Sequence, residues 1–230
     1  MTQTNEPSST AGHPSKGAVF DALNWCSEKN FLPEHRRYLA QELGDRVLDL
    51  GAGTGAMFPY IGATAQREGP IQLHGIEPDP HFRARAEQKA ERVGLHIDIR
   101  NGRAESLPYD DESFNTVIAS TVFCTISDVS EAIREIDRVL KPNGELRFLE
   151  HVRSHGSHGR YQDRFAPLWK RIAGGCHLNR QTERTLAQSP LELSEIDDFE
   201  IDTAFTPVKR FIRGTATKAK EDAVVESDSS

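Results

Sequence analysis

The stretch Arg46–Gly55, RVLDLGAGTG, constrains the fold more than any other part of this chain. Val47, Leu48 and Leu50 form a short apolar run of the length and kind that make a buried strand. It ends in glycines at 51, 53 and 55 and passes into a helical pattern over Ala56–Gln66. A strand that turns this tightly into a helix brings a helix N-terminus and bare backbone to one point, where a ligand can approach closely. Read as G-x-G-x-x-G/A, the residues Gly51, Gly53 and Ala56 fit a dinucleotide fingerprint. Glu77 closes the next apolar run, IQLHGIE (71–77), near the roughly 20-residue offset of a ribose-binding carboxylate. These residues alone leave a nicotinamide enzyme and other nucleoside binders equally open.

The same alternation continues downstream. Residues 18–43 read as one or two helices broken at Pro33. Asp79-Pro80 supplies an N-cap with proline at the first helical position, and Gly94 can end that helix. LHIDIR (95–100) and FNTVIAS (114–120) read as strands. Asp128 and Glu131 make a capping box, Val129, Ile133, Ile136 and Leu140 repeat at helical spacing, and Lys141-Pro142-Asn143-Gly144 stops the helix before the strand ELRFLEHV (145–152). Strands and helices joined by short loops predict a parallel sheet covered on both faces. Residues 153–190 interrupt the pattern with polar, partly helical sequence. FEIDTAF (199–205) and VKRFIRGTAT (208–217) are separated by Thr206-Pro207, too short for a crossover, and must be antiparallel.

Composition narrows the partners. The 230 residues, 37% hydrophobic, suffice for one domain, expected over 18–217 with a helical insertion at about 153–190. Residues 1–17 and 218–230, poor in anchors, are expected to be disordered tails. A net charge of −7 disfavours polynucleotide binding. No apolar run is long enough to span a membrane and no secretory signal is seen, so a cytoplasmic location is expected. Cys26, Cys124 and Cys176 are too few and too widely spaced for a disulfide framework or a CxxC zinc site.

Several segments together resemble the class I S-adenosylmethionine-dependent methyltransferases: Asp49 with the Gly51–Gly55 loop, Glu77-Pro78, the run Gly102–Val117 (GRAESLPYDDESFNTV), and Arg138–Gly144 (RVLKPNG). The resemblance covers about residues 30–216 and implies a doubly wound, seven-stranded, mostly parallel sheet with a terminal antiparallel hairpin, binding S-adenosylmethionine. It implies that Gly51, Ala52, Gly53 and Gly55 meet the methionine end through backbone, with Asp49 organising that end. It further implies that Glu77 takes the ribose hydroxyls, Pro78 packs on the adenine, Ala104 and Glu105 face the adenine edge, and Ser120 and Thr121 line the methyl side. Arg103 and Asn115 stand where the family usually carries acidic residues.

The acceptor side is less defined. FLEHV (148–152), GCHLNR (175–180) and the final strand resemble small-molecule thiol methyltransferases and the neighbouring quinone and phospholipid methyltransferases. The implied acceptor is a small thiol, quinol or lipid amine. His151, at the end of the fifth strand, is a candidate to orient or deprotonate it. His151, His155, His158 and the later Cys176-His177 match no standard ligand spacing, and no metal is expected. Cys176 reads as a buried thiol. Phe165, Leu168, Trp169 and Ile172 share one helical face and suit a lid over the cleft, while Phe20, Trp25 and Phe31 suit a cofactor cover or helix packing. No Tyr-xxx-Lys pair supports the oxidoreductase alternative, and a non-catalytic cofactor-binding subunit stays open.

Overall fold

In the computed structural model of the chain, residues 31–201 and 207–219 are described. Residues 1–17, the helices expected within 18–30 with Phe20, Trp25 and Cys26, the segment 202–206 and residues 220–230 lie outside the described residues, while Lys218, expected in the tail, ends β7. The described chain runs α1 (Leu32–Leu39), β1 (Arg46–Leu50), α2 (Phe58–Glu68), β2 (Gln72–Ile76), α3 (Pro80–Val93), β3 (Ile97–Arg100), β4 (Phe114–Ser120), α4 (Val129–Val139), β5 (Leu140–His151), α5 (Gly156–Ile172), α6 (Thr182–Ala187), β6 (Leu191–Glu200) and β7 (Arg210–Lys218).

The seven strands form one sheet in the order β3-β2-β1-β4-β5-β7-β6. β1 to β5 are parallel, β7 is antiparallel to β5, and β6 is antiparallel to β7. The doubly wound fold with its terminal hairpin is the one the sequence implies. β1 has its sequence successor β2 on one side and β4 on the other, so the strand order reverses there. The loops after β1 and β4 therefore meet at the carboxyl edge of the sheet, where open α/β sheets bind ligands.

Local signals place these elements. Asp79 caps α3 by accepting from the His81 and Phe82 amides, and Gly94 ends it at φ 67°. α4 buries Val129, Ala132, Ile133, Ile136 and Val139 along one stripe, and each large aliphatic side chain so buried contributes about 1.5–3 kcal/mol. A charge at the fully buried Ile133 would break that packing. Two cores result, one on each face. Leu48, Leu50, Phe114, Phe123, Ile133 and Phe148 belong to one; Val47, Phe58, Ile61, Ile118, Leu149 and Phe211 belong to the other.

Several boundaries differ from the sequence reading, among them β5, which begins at Leu140 and so takes in the stretch 141–144 expected as a helix stop. Pro33 sits in the first turn of α1, where its missing N–H costs nothing, so it starts that helix and does not break it. β6 begins at Leu191, not at Phe199, and pairs with β7 from Leu191–Lys218 to Glu200–Arg210. The connection of the hairpin is thus 201–209.

Candidate active site

The glycine loop is held open by conformation and by contacts. Gly51, Gly53 and Gly55 have φ of 68°, 56° and 80°, a region that side chains with a Cβ enter at a cost. A Cβ on Gly51 would lie 2.3 Å from Val122 Cγ2, in the loop after β4, and one on Gly55 would strike the Phe58 ring at 2.6 Å. Gly53 is different: a Cβ there would meet nothing closer than the Gly51 carbonyl oxygen at 3.8 Å. Glycine at 51 and 55 serves close packing, whereas at 53 it borders open space.

The loop is tied to β2 by hydrogen bonds. The Ala52 amide donates to the Ile76 carbonyl at 2.9 Å, and the Gly53 amide donates to Glu77 Oε2 at 3.0 Å. Glu77 Oε1 accepts from the Asp79 amide at 2.9 Å. Glu77 is buried at 7% exposure, so it is a structural tie between loop and α3 as well as a ribose candidate. Burial raises its carboxyl pKa, against the lowering effect of the two amides. Pro78 is exposed, and its carbonyl and that of Glu77 accept from Arg83 Nη1.

Asp49, on the central β1, is almost fully buried and its Oδ2 has no hydrogen-bond partner. Burial lifts its carboxyl pKa to about 7, although Arg36 nearby pulls it down; Glu77 adds a further push upward. A buried, unpaired carboxylate oxygen beside the loop is a place for a cation.

The segment 102–113 and α4 are joined by Arg138. Its guanidinium donates to the Tyr109 and Leu107 carbonyls at 2.8 and 3.1 Å and pairs with Glu135 and Asp111. Glu135 in turn accepts from the Leu107 amide at 2.7 Å. The two sequence motifs over 102–117 and 138–144 are thus physically one unit. Asn115 accepts from the Arg46 amide and from Lys141 Nζ, so the residue that departs from the family pattern ties the start of β1 to the start of β5. Ala104 is buried in the core beside Leu107. Glu105 does something the sequence reading missed. Its Oε1 accepts from the Ser127 and Asp128 amides at 3.1 and 3.4 Å, so it takes the reciprocal part in the capping of α4. Glu131, given that part from sequence, pairs instead with Arg134, while Asp128 accepts from the Glu131 amide at 3.0 Å.

Ser120 ends β4 with its Oγ buried and without a hydrogen-bond partner. Thr121 follows at φ 56°, its amide donating to the Leu149 carbonyl at 2.7 Å. A threonine held in this conformation is strained, and such strain concentrates at ligand-binding turns. The chain then delivers Cys124 beneath α5.

The histidine loop divides. His155 is exposed at the start of α5, and His158 meets the Pro207 carbonyl at 3.0 Å. His151 is buried, and its Nε2 lies 3.2 Å from Cys176 Sγ. The imidazole therefore reaches a thiol of the chain itself. Burial disfavours the His151 cation, but the Cys176 charge and hydrogen bond and the Glu150 carboxylate outweigh it and raise its pKa. The Cys176 thiol is drawn well below the usual range, first by a hydrogen bond from Cys124 and then by His151. Cys124 is pushed up in return, by that hydrogen bond and by burial.

The apolar face proposed as a lid is split. Trp169 packs on Cys124, Ala173 and Cys176. Leu168 and Ile172 are 53% and 57% exposed.

A methyltransferase domain model matches residues 48–148. Human thiol S-methyltransferase TMT1B is 29% identical over 178 residues, covering 75% of this chain and 70% of that protein. Phosphatidylethanolamine N-methyltransferase of Cereibacter sphaeroides is 28% identical over 155 residues, 66% of this chain and 72% of that one. The crystal structure of the YcgJ protein of Bacillus subtilis superposes with a TM-score of 0.64 at 18% identity, covering 81% of this chain and 99% of the other. Together these findings support a class I S-adenosylmethionine-dependent methyltransferase. Its cofactor is S-adenosylmethionine, and three features of this methyltransferase suit it: the orphaned Asp49 oxygen for a cationic group, the open side of Gly53, and a carboxylate at the end of β2. Among the described residues, no helix is long and apolar enough to cross a membrane.

Proposed function

We propose that this methyltransferase transfers its methyl group to the sulfur of a small thiol. The supporting observation is the extent of the likeness to the thiol S-methyltransferases. It runs over 178 residues and so well beyond the 48–148 domain, into the acceptor-side elements after β5.

The residues divide the work as follows. Asp49 takes the cationic methionine end, Gly51, Ala52 and Gly53 form the floor beneath it, with Gly55 completing the turn, and Glu77 accepts from the ribose hydroxyls with lone pairs left free by its two amides. Pro78 and Ala104 border the adenine, and Ser120 and Thr121 border the side from which the acceptor approaches. Glu105 is occupied in capping α4 and acts by fixing that border. Bound S-adenosylmethionine supplies an electrophilic methyl on a sulfonium whose positive charge is lost on transfer. Positive charge disappears along the reaction, so a dry, shaped cleft favours it, and the protein's task is alignment and exclusion of water. A thiol needs only to lose a proton to become a strong nucleophile, so this chemistry asks for no catalytic triad.

The test is a screen of the purified chain with S-adenosylmethionine against small aliphatic and aromatic thiols, a quinol and phosphatidylethanolamine, with the methylated product identified by mass spectrometry. A methyl thioether formed in step with S-adenosylhomocysteine is expected. Methylation of the amine or the quinol with no thioether would overturn the reading.

A further inference from the structure

Three residues far apart in sequence meet beneath α5. Cys124 lies four residues past β4, His151 ends β5, and Cys176 follows α5. Cys124 Sγ, His151 and Cys176 Sγ bring their donor atoms within 4.8 Å of one another, and all three residues are buried. We propose that Cys124, His151 and Cys176 form a binding site for a divalent cation of the zinc class, tying the acceptor-side cover to the carboxyl edge of the sheet.

The donor set decides the class. Two sulfurs and an imidazole nitrogen suit a borderline-soft ion and offer nothing to magnesium or calcium, which take oxygen. Zinc bonds of about 2.3 Å to sulfur and about 2.0 Å to nitrogen put tetrahedral donors about 3.6 Å apart. The His151 Nε2–Cys176 Sγ distance is 3.2 Å, so an ion needs the pair to spread by only a few tenths of an ångström.

Charge points the same way. Two thiolates, a neutral imidazole and a divalent cation make a neutral unit, the form least costly in a dry pocket. The Cys124 thiol donates to the Thr121 carbonyl at 3.7 Å, and Trp169 packs on Cys124 and Cys176 beside the cluster.

The backbone holds the donors in place. The fully buried Glu150 carboxylate accepts from the Phe123 and Cys124 amides at 3.0 and 3.2 Å. The His177 amide donates to the Cys124 carbonyl at 2.8 Å, the Arg153 amide to the Arg180 carbonyl at 2.8 Å, and Arg180 reaches the Ile126 carbonyl. All three ligand-bearing segments are thereby fixed to one another before any ion enters. None of this is visible in the spacing of the histidines, which is why the sequence gives no sign of a metal.

The experiment uses the full chain, stripped with chelator and kept under reductant. Cobalt(II) is titrated in, followed by zinc. Expected are one equivalent of cobalt with a sulfur-to-cobalt charge-transfer band and the intense visible bands of a tetrahedral site, displacement by zinc, and a zinc-dependent rise in Tm. C124S, C176S and H151A should each weaken zinc binding about 100-fold or more, while C26S should leave the spectrum unchanged. S-adenosylhomocysteine binding by calorimetry reports whether each variant is folded. A folded wild-type chain that binds S-adenosylhomocysteine but yields no thiolate–cobalt band would overturn the proposal. So would a band that survives in the folded C124S/C176S double variant. Neither outcome depends on which acceptor is methylated.

Discussion

Glu77 holds two backbone amides, so removing its carboxylate loosens the glycine loop and the start of α3 together. Glu77→Ala is expected to weaken S-adenosylhomocysteine binding roughly ten- to a hundred-fold, since a hydrogen bond to a charged group is worth about 1.5–3 kcal/mol. It should also lower the Tm of the free protein, because the Gly53 and Asp79 amides lose their partner. Calorimetry and a melting curve on the same sample check both, and an unchanged Tm would show that the tie is dispensable. The glycines separate in a second pair of variants. Gly53→Ala adds a methyl group in open space at a left-handed residue, so about 1 kcal/mol of stability is expected to go, with a larger loss of cofactor affinity. Gly51→Ala meets the same strain and also collides with Val122, adding about 1–3 kcal/mol. Adding Val122→Ala should recover part of the stability lost at 51 and none of that lost at 53. Equal rescue of both would sink the distinction. Which glycine packs and which borders open space is invisible in the string GAGTG, because it depends on where the Val122 and Phe58 side chains come to lie.

α5 is the element whose faces the sequence describes least well. Phe165, Leu168, Trp169 and Ile172 share a stripe, yet only Trp169 reaches the Cys124–Cys176 cluster, while Leu168 and Ile172 stay in water. Leu168→Ser and Ile172→Ser are expected to change stability by no more than about 0.5 kcal/mol. Trp169→Ala, at a half-buried site, should cost about 2 kcal/mol, below the 3–5 of a core tryptophan, and raise the acceptor KM. Urea melts and steady-state kinetics on the three variants decide it; a large loss from Leu168→Ser would mean that this face is covered. β6 shows why an edge strand escapes reading. It carries Glu192, Glu195, Asp197, Asp198 and Glu200, residues depleted in strands, and its register shifts between Leu193 and Glu195. Two of the acids are paired across the hairpin, Asp198 by Arg210 and Asp197 by Arg213, and an acidic edge also discourages further strand pairing. By contrast β4 matches its expected bounds of 114–120, because an apolar run buried on both faces leaves no ambiguity.

At the scale of the molecule, the sheet places Asp49 between two cores, at the strand where the order reverses. The sequence carries that position legibly, as it carries the loop and Glu77, since all lie within one contiguous motif and its nearest strand. The Cys124–His151–Cys176 meeting is not legible, since it requires β4, β5 and α5 to converge. Burying Asp49 couples stability to pH. Its folded pKa is about 7, lifted by burial, against an ordinary value of 3.8, with Arg36 and Glu77 as the charged groups acting on it. Between those values the folded chain keeps a proton that the unfolded chain releases. The stabilisation is therefore complete below about pH 4, falls as pH rises, and is gone above about pH 7. Asp49→Asn stays neutral throughout, so it should match the wild type near pH 4 and melt higher at pH 8. Cofactor binding should show the opposite trend. A cationic methionine end favours the ionised carboxylate, so wild-type affinity for S-adenosylhomocysteine should rise from pH 5 to pH 8, while the asparagine variant falls progressively further behind. Melting curves and calorimetry at four pH values measure both slopes on the same proteins. Parallel pH profiles for wild type and variant would place the titrating group elsewhere, and with it the contact assigned to the methionine end.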